Sequence, residues 1–199
     1  MHSSVAKYAW IEEEQGLAWT IAVTNGVLAS NVVRAHGGDP DIRMGTRTFE
    51  QSAVPADEFG QYFCLRILAA PGFVAMTENN GWSGKVPEIA RRVTRQGGRY
   101  FGVYWNRHGH AYVTEAQDGK ITAYFEPLFA DTRPGAGAIH PDWLSSDFDI
   151  EHYKAASLAA MEERTRISFD RFWLTLKAPT YRIPNPDVLL RDVPGARLP

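Results

Sequence analysis

Several residue groups in this chain are of the types that do chemistry. The first is the stretch Thr77-Glu78-Asn79-Asn80-Gly81-Trp82-Ser83-Gly84-Lys85, which joins an apolar run, Phe73–Met76, to a helix predicted to begin near Pro87. A glycine-bearing loop between strand and helix can aim backbone N–H groups at a phosphate. A Walker-type loop requires four residues between its glycines, then Lys and Ser or Thr. Here two residues separate Gly81 from Gly84, and Lys85 is followed by Val86. The Gly-x-Gly-x-x-Gly fingerprint also fails, and Trp82 would crowd a pyrophosphate. The spacing predicts a turn in which Trp82 fills the joint between sheet and helix. Lys85 stays available to a ligand at the helix start.

The second group is acidic. Glu115 and Glu126 are expected to share one face of a hairpin, with Glu126 opposite Ala111, four residues from Glu115. At roughly 3.3 Å per residue that is about 13 Å, beyond the roughly 5 to 9.5 Å of a glycosidase pair. Glu78 could join either residue only through a strand order that the sequence does not give. His108-Gly109-His110 has the short spacing of metal ligands, but no other motif completes a site. Cys64 sits in a predicted strand beside Arg66 and reads as a packed residue, and no G-x-S-x-G elbow presents a serine nucleophile. No catalytic residues, metal or cofactor are assigned.

These residues need elements to position them. Leu17–Val23, Tyr62–Ala69, Phe73–Met76 and Arg99–Asn106 read as strands, with Pro71-Gly72 turning the second into the third. His110–Ala116 and Lys120–Glu126 flank Asp118-Gly119, a favoured two-residue hairpin turn, so Gln117 should pair with Lys120 and Tyr112 with Phe125. Gly26–His36 and Pro87–Val93 read as helices, each ended by a glycine pair. Glu88 in the first turn of the second, with Arg91, Arg92 and Arg95 later, suits the helix dipole. After a loop over Asp131–Gly137, Asp149–Arg164 reads as helical. Phe169, Phe172, Trp173 and Leu176 then repeat at helical spacing behind Ser168, a good N-cap. The last 21 residues hold five of the twelve prolines and are expected to run extended.

The expected fold is therefore α+β: a mainly antiparallel sheet of five or six strands, helices packed on one face, and a helical C-terminal segment. Residues 1–130 would form the core. Residues 131–199 would supply a loop, the helical segment and a proline-rich tail packed on the same domain.

Composition narrows the function classes. With 44% apolar and 22% charged residues in a 199-residue chain, disorder is excluded as the general state. A net charge of -2 argues against a dedicated nucleic-acid binder. The single cysteine allows no internal disulfide, and neither a signal peptide nor a membrane-spanning run is evident, so a cytoplasmic location is expected. Lys85, Arg91, Arg92, Arg95 and Arg99 cluster around one helix and could meet an acidic partner. Six tryptophans and eight tyrosines favour an interface.

Four short pieces occur in order: Tyr8-Ala9-Trp10, Gly38-Asp39-Pro40, Glu78 through Asn80-Gly81-Trp82, and Phe125-Glu126-Pro127-Leu128-Phe129. Over residues 8 to 130 the chain resembles a family of bacterial single-domain proteins known only as a domain of unknown function. The resemblance implies an α+β protein of the bacterial cytoplasm and carries no catalytic residues. The expected role is a non-enzymatic protein-interaction module of regulatory or toxin-neutralising type. Its binding residues would be Glu78, Asn80, Trp82, Lys85 and Arg92, and its partner another protein. A small-molecule or nucleotide-binding domain and a hydrolase using Glu78, Glu115 or Glu126 are the alternatives.

Overall fold

The computed structural model describes residues 3–14, 16–130, 137–145 and 147–199, without the side chain of Ser3. The expected loop over Asp131–Gly137 falls, but for Gly137, outside them. The strands are β1 (Ala18–Asn25), β2 (Thr46–Arg47), β3 (Tyr62–Ala70), β4 (Phe73–Asn79), β5 (Arg99–Asn106), β6 (Ala111–Gln117), β7 (Lys120–Phe125) and β8 (Ala178–Pro184). The helices are α1 (Ser3–Lys7), α2 (Ala29–Ala35), α3 (Pro87–Thr94), α4 (Tyr153–Thr165), α5 (Phe172–Thr175) and α6 (Pro186–Leu189). The strands form one sheet in the order β2-β8-β3-β4-β1-β5-β6-β7, and every ladder is antiparallel.

Turn chemistry explains much of this order. Gly72 takes a positive φ of 89° and closes the β3–β4 hairpin. Asp118 and Gly119 both have positive φ, 50° and 79°, as the expected hairpin turn between β6 and β7 requires. Gln117 pairs with Lys120, but a bulge between Glu115 and Ala116 shifts the rest of the ladder by one. Tyr112 therefore does not face Phe125, which pairs with Val113; instead Tyr112 stacks on Tyr124, ring centroids 5.3 Å apart. A bulge leaves one residue unopposed and reverses the facing of all that follow.

The sheet has eight strands rather than five or six. The two missed are β2, only two residues long, and β8, whose sequence APTYRIP is bracketed by prolines. Pro179 and Pro184 lie at the ends of β8, and its interior fits between β2 and β3. The C-terminal stretch thus enters the sheet.

Helices cover both faces, not one. On one face Ile21, Val23, Phe101, Val103, Val113 and Phe125 pack with Val5 of α1 and with Leu158 and Met161 of α4. On the other, Ala22, Phe63, Leu65, Met76 and Tyr100 pack with Val32 and Val33 of α2 and Ile89 and Val93 of α3. Central strands are apolar on both sides, so a single layer of helices would leave one side wet. The segment after Ser168 forms only the short α5. Ser168 does not cap it: its hydroxyl lies 3.3 Å from the Tyr8 hydroxyl, and α5 starts after Arg171.

Arg66 is the least expected core residue. It is 0% exposed, on the β3 face opposite Leu65 and Ile67. Its guanidinium donates to Arg47 O (3.0 Å), Thr77 Oγ1 (2.8 Å), Trp173 O (2.9 Å) and Leu176 O (2.7 Å). Burial lowers its pKa to about 10, and neutral oxygens rather than a carboxylate hold its charge. One side chain thereby fastens β2 and the chain leading into β8 to the sheet. Arg66→Ala would strand these buried acceptors, each costing about 1–3 kcal/mol. Urea unfolding should show a loss of at least about 3 kcal/mol. A loss within the roughly 0.5 kcal/mol typical of surface changes would refute the clip.

Candidate functional site

The loop after β4 lies flat across the end of the sheet. Four neighbouring strands each send one side chain to it. From β1, Thr20 Oγ1 donates to Gly81 O (2.9 Å); from β5, the Tyr100 hydroxyl donates to Gly84 O (2.6 Å). From β6, Thr114 Oγ1 donates to Lys85 O (3.1 Å). From β4, the Glu78 carboxylate accepts from Ser83 N (3.0 Å) and Gly84 N (2.9 Å).

This geometry answers the question of the phosphate cradle. The loop does turn two adjacent N–H groups toward an anion, and the anion is the protein's own Glu78, 1% exposed. No room is left for a second one. Contact is close enough to dictate glycine: a Cβ on Gly84 would stand 2.6 Å from Thr20 Cγ2 and 2.7 Å from the Tyr100 hydroxyl. A Cβ on Gly102, beneath the loop, would meet the same hydroxyl at 2.7 Å. Gly84 is therefore fixed by space and not by backbone conformation.

The other loop residues have equally definite places. Asn80 takes φ of 64°, a left-handed conformation that Asn tolerates. It exchanges hydrogen bonds with Ala18: its N–H donates to Ala18 O (2.9 Å), and its Oδ1 accepts from Ala18 N (3.2 Å). Trp82 is half-buried, edge-on to Phe63 with centroids 4.4 Å apart, and packs against the core under α2 and α3. Lys85 extends over two tyrosines, its Nζ 4.4 Å from the Tyr104 centroid and 4.9 Å from that of Tyr112. Tyr104 and Tyr112 are directly opposite in the β5–β6 ladder, and Tyr124 stacks on the latter.

Arg92 is elsewhere. It pairs with Glu88 at 3.0 Å along α3 and lines a groove between α2 and α3. The expected basic cluster is dispersed: Arg91 donates to Leu198 O, and Arg99 to Arg164 O and Gln117 Oε1. Glu78, Asn80, Trp82 and Lys85 belong to one loop; Arg92 does not.

The three carboxylates do not share a cleft. Glu115 is 1% exposed on the sheet face away from the loop, where it accepts from Arg164 Nε (3.1 Å) and Trp143 Nε1 (3.0 Å). The β-bulge sends Glu126 to the opposite side, where its charge acts on Tyr112, Tyr124 and Lys85. The expected common face of Glu115 and Glu126 is thus corrected, and Glu115 stands on the other side of the sheet from Glu78 and Glu126. His108 and His110 lie at the β5–β6 turn, their N–H groups donating to Asn106 Oδ1. Among the described residues no three His, Cys, Asp or Glu side chains are gathered as a metal requires.

Electrostatics follows burial. Desolvation raises the Glu78 carboxyl to about 7, against the pull of its two N–H donors. It also carries Tyr100 well above the ordinary phenol value. Lys85 is lowered, mostly by burial and then by the Arg197 charge, while Glu126 and Asp187 oppose the shift. Sequence reading missed the tyrosines under Lys85, of which Tyr104 is buried and Tyr112 and Tyr124 are partly exposed. The signal was the alignment of Tyr104 with Tyr112, available once the meander's register is drawn.

Two outcomes are expected. Glu78 holds its proton more tightly folded than unfolded. Its contribution to stability is therefore greatest below about pH 4.5 and declines as pH rises through about 7. The decline is on the order of 3 kcal/mol. His36, buried and lowered to about 4, acts in the opposite sense as pH falls from its ordinary range. Comparing wild type with Glu78→Gln cancels that contribution. Unfolding between pH 5 and 8 should then fall more steeply for wild type, and parallel profiles would contradict a buried titrating Glu78. Separately, Gly84→Ala should destabilise by about 1–3 kcal/mol through overpacking. An unchanged thermal midpoint would mean that the loop is not pressed on the sheet.

No curated protein and no solved structure matches the chain. Among the described residues no helix is long and apolar enough to cross a membrane. A family profile matches residues 1–165, from α1 to the end of α4, and so includes the loop, all four strands that pin it and the tyrosine row. The chain belongs to that family, a family of unknown function (DUF6461).

Proposed function

We propose that this protein is a non-enzymatic protein-interaction module of regulatory or toxin-neutralising type. Its binding face is the Asn80–Lys85 loop with the tyrosines beneath Lys85. One observation carries the reading: the Lys85 ammonium rests on the faces of Tyr104 and Tyr112 with no carboxylate at ion-pair distance among the described residues. A lysine so placed is partly desolvated before any partner arrives. Less remains to be lost when a carboxylate or aromatic group docks. Tyrosine is enriched at protein interfaces because it gives large contact area with few rotors. The loop backbone is already fixed by four strands, so docking orders little. Glu78 and Asn80 serve this face from below, by holding the loop, while Lys85 and the edge of Trp82 meet the partner.

Native pull-downs test the reading. Wild type should retain a partner that Lys85→Glu loses by about tenfold or more, since a charge reversal at a desolvated contact costs several kcal/mol. Thermal midpoints should confirm that the variant is folded. If wild type, Lys85→Glu and Trp82→Ala all retained the same proteins in the same amounts, the binding face would lie elsewhere.

A further inference from the structure

The groove between α2 and α3 is a second surface, independent of the loop. It is an open groove with a volume of about 500 Å³. That is within the roughly 300–1,000 Å³ of small-molecule sites. Arg34 of α2, Arg92 of α3 and Arg95 just beyond it line the rim, and one carboxylate, Glu88, stands with them. Glu88 is shared between Arg92 at 3.0 Å and Arg91 at 3.6 Å. Among the described residues Arg34 and Arg95 have no carboxylate partner; Arg34 makes only a 3.4 Å contact with Asn31 Oδ1. Two uncompensated guanidiniums therefore face one cavity.

The remaining lining separates into polar and apolar parts. Asn31 and Gln96 face each other across the groove, with Nδ2 to Oε1 at 3.4 Å. Val27, Leu28 and Val93 supply apolar surface, and Leu28 is 69% exposed. Gly26 and Gly97 also line the groove and present backbone there without a side chain. A planar body could lie against this backbone.

We propose that this groove binds a small phosphorylated ligand of the nucleotide kind, its phosphates between Arg34 and Arg95 and its base or sugar on the Val27–Leu28–Val93 surface. Guanidinium forks match phosphate oxygens two at a time, and Arg binds phosphate with a geometry that Lys lacks. The amide pair of Asn31 and Gln96 can open to donate and accept at a base edge. Inorganic phosphate alone would use the cations and leave the apolar surface unfilled, so the groove favours an amphipathic ligand over a bare anion.

Thermal-shift measurements on the full chain, followed by calorimetry, test this with pyrophosphate, sulfate, and the mono-, di- and triphosphates of adenosine and guanosine at millimolar concentration. At least one nucleotide should raise the thermal midpoint beyond sulfate at equal ionic strength. Arg34→Gln/Arg95→Gln should weaken that binding by about tenfold or more, because the charge-assisted hydrogen bonds to phosphate are lost. Both arginines are exposed, so the unliganded midpoint of the double variant should match wild type. Arg43→Gln, at another exposed position, should bind as wild type does. Three results would each overturn the proposal: no stabilisation by any nucleotide, equal stabilisation by sulfate, or binding unchanged in the double variant. Lys85→Glu should leave nucleotide binding intact, which separates this test from that of the loop face.

Discussion

The carboxylate of Glu78 holds the loop after β4 against the sheet. A loop that lies on a sheet must satisfy its backbone groups without water, because its inner side is shut off from solvent. Here Glu78 accepts two of the N–H groups, and Thr20, Tyr100 and Thr114 donate to three of the carbonyls. Removing the acceptor would leave two adjacent donors facing a dry joint. Removing a donor would leave one carbonyl. The carboxylate is thus the element with the most partners, and its strand position next to Asn79 and Asn80 ties the loop's start to its end.

Arg66 is the counterpart on the other face. Leu65 pairs with Glu78 and Arg66 with Thr77, so the two buried ions stand on adjacent strands and point to opposite sides. Neither relies on an oppositely charged side chain: the anion is held by backbone N–H groups, the cation by backbone carbonyls and one hydroxyl. Backbone partners are available anywhere on the chain, so such an ion can collect segments near or far in sequence. Arg66 gathers Arg47, Trp173 and Leu176; Glu78 gathers a loop five and six residues onward. A buried ion pair would have fixed two side chains to each other, whereas these ions fix backbone.

What the sequence made legible follows from how local each signal is. The β3–β4 and β6–β7 hairpins, α3 with Pro87 at its start, and the α+β class all rest on turn residues and periodicity within short windows. The Asp118-Gly119 turn is an example, since both residues must adopt positive φ. By contrast β8 pairs with β3 across more than a hundred residues, and its prolines read as breakers because nothing nearby shows that they fall at strand ends. The bulge between Glu115 and Ala116 leaves no mark in composition, yet it alone decides which side Glu126 occupies. For the same reason the candidate site was half legible. Glu78, Asn80, Trp82 and Lys85 lie within one short stretch of sequence, while Tyr104 and Tyr112 come together only through a ladder register, and Arg34 and Arg95 line one groove only through the packing of α2 on α3.

The internal filling of the loop's anion site bears on what kind of protein this is. Loops that hold phosphate keep their N–H groups free in the empty state and tolerate their exposure to water. Here the same backbone device is satisfied in advance by a side chain from the preceding strand, which exchanges ligand capacity for rigidity. A rigid loop lying on the sheet presents a fixed outline, and the residue it delivers, Lys85, rests on aromatic faces rather than in an ion pair. The outcome is a fixed shape carrying one lysine that has no carboxylate at ion-pair distance among the described residues. The groove between α2 and α3 has a different character: among the described residues Arg34 and Arg95 have no carboxylate partner, while Arg92 is paired with Glu88. The loop enters α3 at its start, and the groove lies between α3 and α2, so the same helix borders both surfaces.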